Sequence, residues 1–221
     1  MMDNMRSAFV VSASTRAGVA VAATLLSAAI ISNGPATAAD PWPSTTAETQ
    51  QLIYSPWAKF CGKGSGRDAK EVCFSGKDAR TEAGQPVVAA ALIEPEGEAR
   101  KLFRVTLPAS LESGYGARII IDEDPPVRNA FFNCFANGCM ADFEATPELL
   151  DRLGKGRIVQ IQAVNLSAAV ITFPLPLAQS SENSFTSAHD GPPVDPKEFE
   201  DQRKRQRPLR GDFDFPNKRG P

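Results

Sequence analysis

The sequence predicts an all-β domain of antiparallel strands, arranged as a sandwich or a barrel. Between Leu52 and Leu177, short apolar runs are separated by Gly, Pro, Asp and Asn, the residues that favour turns. In the clearest run, RIVQIQAV, Val159, Ile161 and Ala163 share one face and the two glutamines lie on the other. A period of two is the period of a strand, so we expect the more apolar face to point inward.

The other runs combine aromatic and β-branched residues with flanking turn residues in the same way. KLFRVTLP, for example, places Phe103, Val105 and Leu107 on one side of a strand. The predicted strands lie, in chain order, in LIYSPWAKFC, EVCFSG, PVVAAALIEPE, KLFRVTLP, ARIIID, NAFFNC, CMADFEA, RIVQIQAVN and AVITFPLPL.

One short helix is predicted in TPELLDRLGKG. Thr146 is a favoured N-cap, Pro147 suits the first helical position, and Glu148 lies near the positive end of the helix dipole. Gly154 is predicted to stop the helix after about two turns. So short a helix is expected to close an edge or a corner of the sheets.

The N-terminus predicts export. Arg6 and Arg16 precede the apolar segment 17–32, and Ala36 and Ala38 supply the small residues of a signal-peptidase site. The apolar segment is shorter than the roughly 20 residues of a spanning helix. We therefore predict a signal peptide over 1–38 and a soluble exported protein, in a periplasmic, outer-membrane-associated or secreted location.

The domain is predicted to occupy residues 52–177. Residues 39–51 mix Pro, Thr, Ser and Gln without periodicity and are interpreted as a flexible leader. Residues 178–221 are rich in Pro, Ser and charge, which predicts a disordered tail. The formal net charge of −2 gives no indication of nucleic-acid binding.

The four cysteines allow three disulfide pairings. We favour the local pairing, in which Cys61 joins Cys73 and Cys134 joins Cys139, because each pair encloses a short turn-like loop. Asn137 and Gly138 are predicted to form the tip of the second loop, since both tolerate positive φ. Chain entropy assigns about 3 kcal/mol to the longer loop and about 2 kcal/mol to the shorter one. A zinc site is not predicted, because Cys61 and Cys73 are too far apart for a typical ligand pair and an oxidising compartment favours disulfides.

No catalytic constellation is evident, and no cofactor is predicted. The only histidine, His189, lies in the predicted tail, and the sequence has no G-x-S-x-G motif. GKGSGR (62–67) lacks the spacing of a phosphate-binding loop. A thiol-disulfide enzyme that uses Cys134 and Cys139 remains the enzymatic alternative.

Two tail motifs have possible binding roles. Residues 203–210 concentrate five basic side chains that could contact an anionic surface, although a solvated linker is the simpler interpretation. Arg210, Gly211 and Asp212 form the tripeptide bound by animal integrins, although so short a motif arises readily by chance.

The order of motifs along 52–177 resembles the invasion-associated locus B family of bacterial extracytoplasmic proteins. The resemblance rests on Trp57, Cys61 and Cys73, followed by FRVTLP, IIIDED, FFNCFANGCMADF, ELLDRLGKG and VITFPLPL. It implies an immunoglobulin-like β-sandwich with two disulfides, and an association with host-cell invasion in pathogenic members. It implies no catalytic residues, and only the four cysteines are carried over, as bridging positions. The tail from Ala178 departs from the family pattern.

We therefore predict an exported, non-enzymatic binding protein whose loops or sheet edge meet a partner protein or an envelope component. The sequence does not identify that partner. A structural envelope protein tethered by its basic tail is a further alternative.

Overall fold

The computed structural model describes residues 42–43, 51–64, 66, 68–136, 138–178 and 180–205. The strands of this part of the chain form two antiparallel sheets. The strands, in chain order, are β1 (Ile53–Tyr54), β2 (Ala58–Lys63), β3 (Glu71–Arg80), β4 (Pro86–Pro95), β5 (Leu102–Leu107), β6 (Ala117–Ile121), β7 (Val127–Asn129), β8 (Asn133–Phe135), β9 (Gly138–Glu144), β10 (Ile158–Val164) and β11 (Val170–Pro176). The helices are α1 (Pro147–Lys155), α2 (Phe185–Asp190) and α3 (Pro196–Arg205), and a short 3₁₀ turn covers Ser113–Tyr115.

Sheet 1 has seven strands. Its order is β1-β3-β4-β5-β9-β8, and β2 pairs with the same edge of β3 as β1 does. Sheet 2 has the order β11-β10-β6-β7. All the pairings are antiparallel, which confirms the predicted all-β sandwich.

A large core fills the space between the sheets. Phe103 and Val105 of sheet 1 belong to the same buried cluster as Ile119 and Ile161 of sheet 2, and each is at most 1% exposed. Burying a side chain of this size stabilises the fold by about 1.5–3 kcal/mol. The face of β10 predicted to point inward does so, because Val159, Ile161 and Ala163 are fully buried, although Gln162 and Val164 on the other face are buried as well.

Helix α1 begins as predicted but ends later. The Thr146 hydroxyl accepts a hydrogen bond from Leu149 N, and Pro147 occupies the first turn. The prediction that Gly154 stops the helix is wrong, since the helix continues to Lys155 and Gly156 is the C-cap. A side chain at Gly156 would lie within 3 Å of Ile121 and Leu177, so the close approach to the sandwich explains why glycine occupies this position.

The tail predicted to be disordered from Ala178 contains two helices within the described residues. The Ser184 and Ser187 side chains form a reciprocal capping box at the start of α2. Phe185 is 1% exposed and packs edge-to-face on Trp57. The prediction of disorder is therefore wrong for α2 and α3. Helix α2 buries Phe185 and Ala188, and both residues belong to the core of the sandwich.

The leader prediction also needs correction at one position. Trp42 is buried against Tyr115, and the Arg118 guanidinium lies 4.2 Å from its ring centroid. The predicted signal peptide (1–38) and the tail beyond residue 205 lie outside the described residues.

Candidate interaction surface

The hairpin of β8 and β9 forms one edge of sheet 1. Cys134 and Cys139 lie directly opposite each other and are joined by a disulfide, as Cys61 and Cys73 are across β2 and β3. Both predicted pairings are thus confirmed. Gly138, which was predicted to form part of the tip, instead belongs to β9 and pairs with Phe135.

Gly138 anchors this hairpin to the neighbouring strand. Its φ of 150° is unfavourable for other residues, and an added Cβ would lie 2.5 Å from the carbonyl oxygen of Leu107. The strand therefore approaches β5 at a distance that only glycine permits.

Two phenylalanines on this hairpin are exposed. Phe132 and Phe135 are each 53% exposed, whereas Phe143, which the sequence groups with them, is buried in the core. Exposed aromatic side chains on a rigid element are frequent anchors of protein–protein interfaces, because they bury a large area at low cost in conformational entropy.

An ion pair fixes the platform beneath Phe132. The Arg104 guanidinium donates to both carboxylate oxygens of Asp142, at 2.6 and 2.7 Å, and lies 4.6 Å from the Phe132 ring centroid. The hydrogen bonds to Asp142 raise the pKa of Arg104 and outweigh the opposite effect of burial. Arg104 thus stays charged under Phe132, as a cation–π contact requires.

The outer edge of β8 makes no strand pairing within the described part of the chain. β8 is the terminal strand of sheet 1, and all three of its residues are exposed. An exposed edge strand offers backbone N–H and C=O groups to an incoming strand. We define residues 132–135 as the hairpin edge.

At the opposite side of sheet 1, α2 is held by polar contacts. Lys59 Nζ donates to the carbonyl oxygen of His189 at 2.8 Å, and His189 Nε2 lies 3.2 Å from Glu94 Oε1. Lys101 also donates to Glu94, at 2.6 Å. Burial acts to raise the pKa of Glu94, but the contacts with Lys101 and His189 reverse this effect and hold it below the usual value.

His189 therefore belongs to the folded domain and not to a disordered tail. Its imidazole stacks on Phe185, and its two ring nitrogens face Glu94 and Asp190. The contact with Glu94 of β4 attaches α2 to the sandwich, so His189 has a structural role that its sequence position did not indicate.

Sequence reasoning also missed two buried polar groups on β3. Lys77 is 3% exposed and Ser75 is fully buried, and neither side chain has a hydrogen-bond partner within the described residues. Burial lowers the pKa of Lys77 to about 7, although the charge of Asp78 acts in the opposite direction. The alternation of FSGKDAR could have placed both residues on the inner face, but their polarity argued against burial.

Cys61, Glu71 and Cys73 form a group of potential metal ligands, but the two cysteines are joined by a disulfide. Glu71 lies close to both sulfur atoms. A cysteine binds zinc as a thiolate, and both sulfurs are committed to a disulfide. This cluster therefore fits a disulfide and not a metal site.

The predicted tail motifs lie almost wholly outside the described residues. Arg210, Gly211 and Asp212 are beyond the end of the described chain, and so is most of the basic segment 203–210. Both remain predictions.

The profile of the family described as Invasion associated locus B (IalB) protein matches residues 57–193, more than half of the chain. The chain belongs to the invasion-associated locus B family. The match extends past Leu177 and includes α2, which supports placing that helix in the domain.

A solved structure from Bartonella henselae, invasion associated protein B, resembles the chain in fold. The sequences are 18% identical, and the likeness covers 72% of this chain and 98% of the other, with a TM-score of 0.49. No curated protein matches the sequence.

Membership of the invasion-associated locus B family, together with two disulfides, indicates an extracytoplasmic protein. None of the helices in the described part of the chain has the length and apolar character needed to cross a membrane.

Proposed function

We propose that this protein is exported and acts by binding, without catalysis, and that its hairpin edge engages a partner protein at the bacterial envelope or on a host cell. The observation that carries the proposal is the pair of exposed phenylalanines of the hairpin edge: Phe135 lies on the disulfide-clamped terminal strand β8, and Phe132 directly precedes it. A partner strand would add to β8 through backbone hydrogen bonds, and the two rings would supply apolar anchors.

The clamp favours tight binding. The Cys134–Cys139 bond and the Arg104–Asp142 pair hold the hairpin in one conformation before a partner arrives. A preorganised surface loses less conformational entropy on binding, and this gain appears directly in the affinity.

The thiol-disulfide alternative is supported less well. Both cysteines lie on strands, whereas low-pKa redox cysteines commonly lie at helix N-termini or beside cationic groups. Tethering by the basic segment 203–210 is compatible with binding at the hairpin edge.

Crosslinking and capture of partners by the mature protein on intact cells would test the proposal. The double variant Phe132→Ser/Phe135→Ser should capture about 10- to 100-fold less partner than the wild-type protein does, as expected when two anchor residues are removed. Leu166→Ser is the control, since Leu166 is a large apolar side chain on the β10–β11 turn that is even more exposed than the two phenylalanines. Equal capture by all three proteins would overturn the proposal. Turnover of a substrate by the purified protein would overturn its non-enzymatic part.

A further inference from the structure

A continuous apolar row crosses the outer face of sheet 1. Phe60 of β2 pairs with Phe74 of β3, Phe74 pairs with Ile93 of β4, and Ile93 pairs with Leu102 of β5. Paired residues of neighbouring strands project from the same face of a sheet. We define these four residues as the outer row.

The outer row faces away from the core. On β3, β4 and β5, each residue of the outer row is next in sequence to a fully buried residue, which projects from the opposite face of the sheet. Phe74 is next to Ser75, for example, and Leu102 is next to Phe103. Phe74 is 41% exposed, and Ile93 and Leu102 are half-buried. Large apolar side chains in a row across an outward face indicate a surface that another element covers.

The chain after β11 already leads to this face. Helix α2 packs on the inner side, beside Trp57, and Val194 N then donates to the carbonyl oxygen of Lys59 along the open edge of β2. Phe199 of α3 packs edge-to-face on Phe60, with ring centroids 5.2 Å apart. The chain thus passes around the edge of sheet 1 and covers the first member of the outer row.

The sequence beyond α3 carries side chains that suit the rest of the row. Phe213 and Phe215 alternate with Asp212 and Asp214 in RGDFDFP. In an extended conformation this pattern places both rings on one side and both carboxylates on the other.

The distances permit the contact. The eight residues from Arg205 to Phe213 span at most roughly 28 Å when extended. From β2 to β5 the outer row crosses three strand spacings, or about 14 Å. Helix α3 adds only about 9 Å between Phe199 and Arg205, so Phe213 can reach any member of the row.

We propose that residues 206–221 of this chain lie across the outer face of sheet 1 and pack Phe213 and Phe215 against Phe74, Ile93 and Leu102. The occupant is this segment because the chain direction delivers it there, continuing the contact that Phe199 makes with Phe60. A tethered segment also acts at an effective concentration of about a millimolar, which favours it over a free competitor.

Photocrosslinking of the purified mature protein would test this contact. The photoreactive residue p-benzoylphenylalanine replaces Phe213 in one variant and Asp214 in the matched control. The probe at position 213 should crosslink within the same molecule to peptides that contain Phe74, Ile93 or Leu102, with several-fold higher yield than the probe at position 214. Adding Phe74→Ser to the Phe213 variant should lower that yield, and Phe74 is exposed enough for the fold to tolerate the change.

Circular dichroism and the presence of both disulfides would show that each variant is folded. A crosslinked dimer in place of an internal crosslink would overturn the proposal in favour of a second copy of the chain. Crosslinks confined to other surfaces, equal yields from positions 213 and 214, or no crosslink at all would also overturn it.

Discussion

Lys77 Nζ lies 5.8 Å from the centroid of the Tyr54 ring, and both side chains are buried inside the sandwich. The ammonium group has no hydrogen-bond partner within the described residues, and burial lowers its pKa from 10.5 to about 7. Lys77 thus weakens the fold at neutral pH, because the unfolded chain holds its proton more readily than the folded protein does.

This difference in pKa predicts that the protein becomes more stable as the pH rises from 7 to 9. Over that range the unfolded state binds more protons at Lys77 than the folded state, and the gain is at most about 1.4 kcal/mol per pH unit. Lys77→Met should remove most of this slope, whereas Lys63→Met, at an exposed position on the neighbouring strand, should leave it unchanged.

Urea unfolding at pH 7, 8 and 9 would measure the slope. The range stops at pH 9 because burial raises the pKa of Tyr54 to about 12, and its ionisation would act in the opposite direction at higher pH. Equal slopes for the wild type and Lys77→Met would show that Lys77 is not the source.

Glu94 predicts the opposite behaviour in acid. Because Lys101 and His189 hold the pKa of its carboxylate below the usual value, Glu94 stabilises the fold at neutral pH, and this contribution is lost as the pH falls through the folded-state pKa. Glu94→Gln should cost about 1–3 kcal/mol at pH 7 and much less at pH 3. Glu144→Gln, at an exposed position on β9, is the control. Unfolding at the two pH values checks this, and a cost that does not depend on pH would contradict it.

Helix α2 is expected to unfold together with the sandwich. Phe185→Ala should destabilise the whole domain by about 3–5 kcal/mol, the typical cost of truncating a buried Phe. Phe199→Ala, in the less buried α3, should cost about 1 kcal/mol, because this half-buried ring contributes mainly its edge-to-face pair with Phe60. Thermal unfolding of both variants would measure this difference in stability. A loss of only about 1 kcal/mol in Phe185→Ala as well would show that α2 is not part of the cooperatively folded domain.

The two disulfides are expected to behave as structural bonds. Both should stay oxidised in a glutathione buffer with a reduction potential of about −200 mV, because structural disulfides generally have reduction potentials below about −300 mV. Alkylation of freed thiols followed by mass spectrometry gives the readout. Selective reduction of Cys134–Cys139 under these conditions would favour the thiol-disulfide enzyme.

The sequence was most informative where local chemistry decides structure. The alternation in RIVQIQAV identified the buried face of β10, Thr146 identified the start of α1, and the short loop between Cys134 and Cys139 identified a hairpin. In each case the signal lies within a few residues of the element that it predicts.

The sequence was least informative where distant packing decides structure. Helix α2 has only Phe185 and Ala188 to bury, and these suffice because Trp57, far away in sequence, offers a matching surface. Lys77 is buried for a similar reason, since the elements packed against β3 exclude water from its side chain. The Ser184/Ser187 capping box was a local signal for α2 that composition concealed.

The central claim is that the hairpin edge meets a partner protein. The most direct measurement is photocrosslinking in living cells with p-benzoylphenylalanine at position 135, compared with the same probe at Leu166, which is 68% exposed. The account predicts a discrete crosslinked protein partner from position 135 and none from position 166. A probe at position 135 that gives no crosslinked product, or that gives the same products as the probe at position 166, would contradict it.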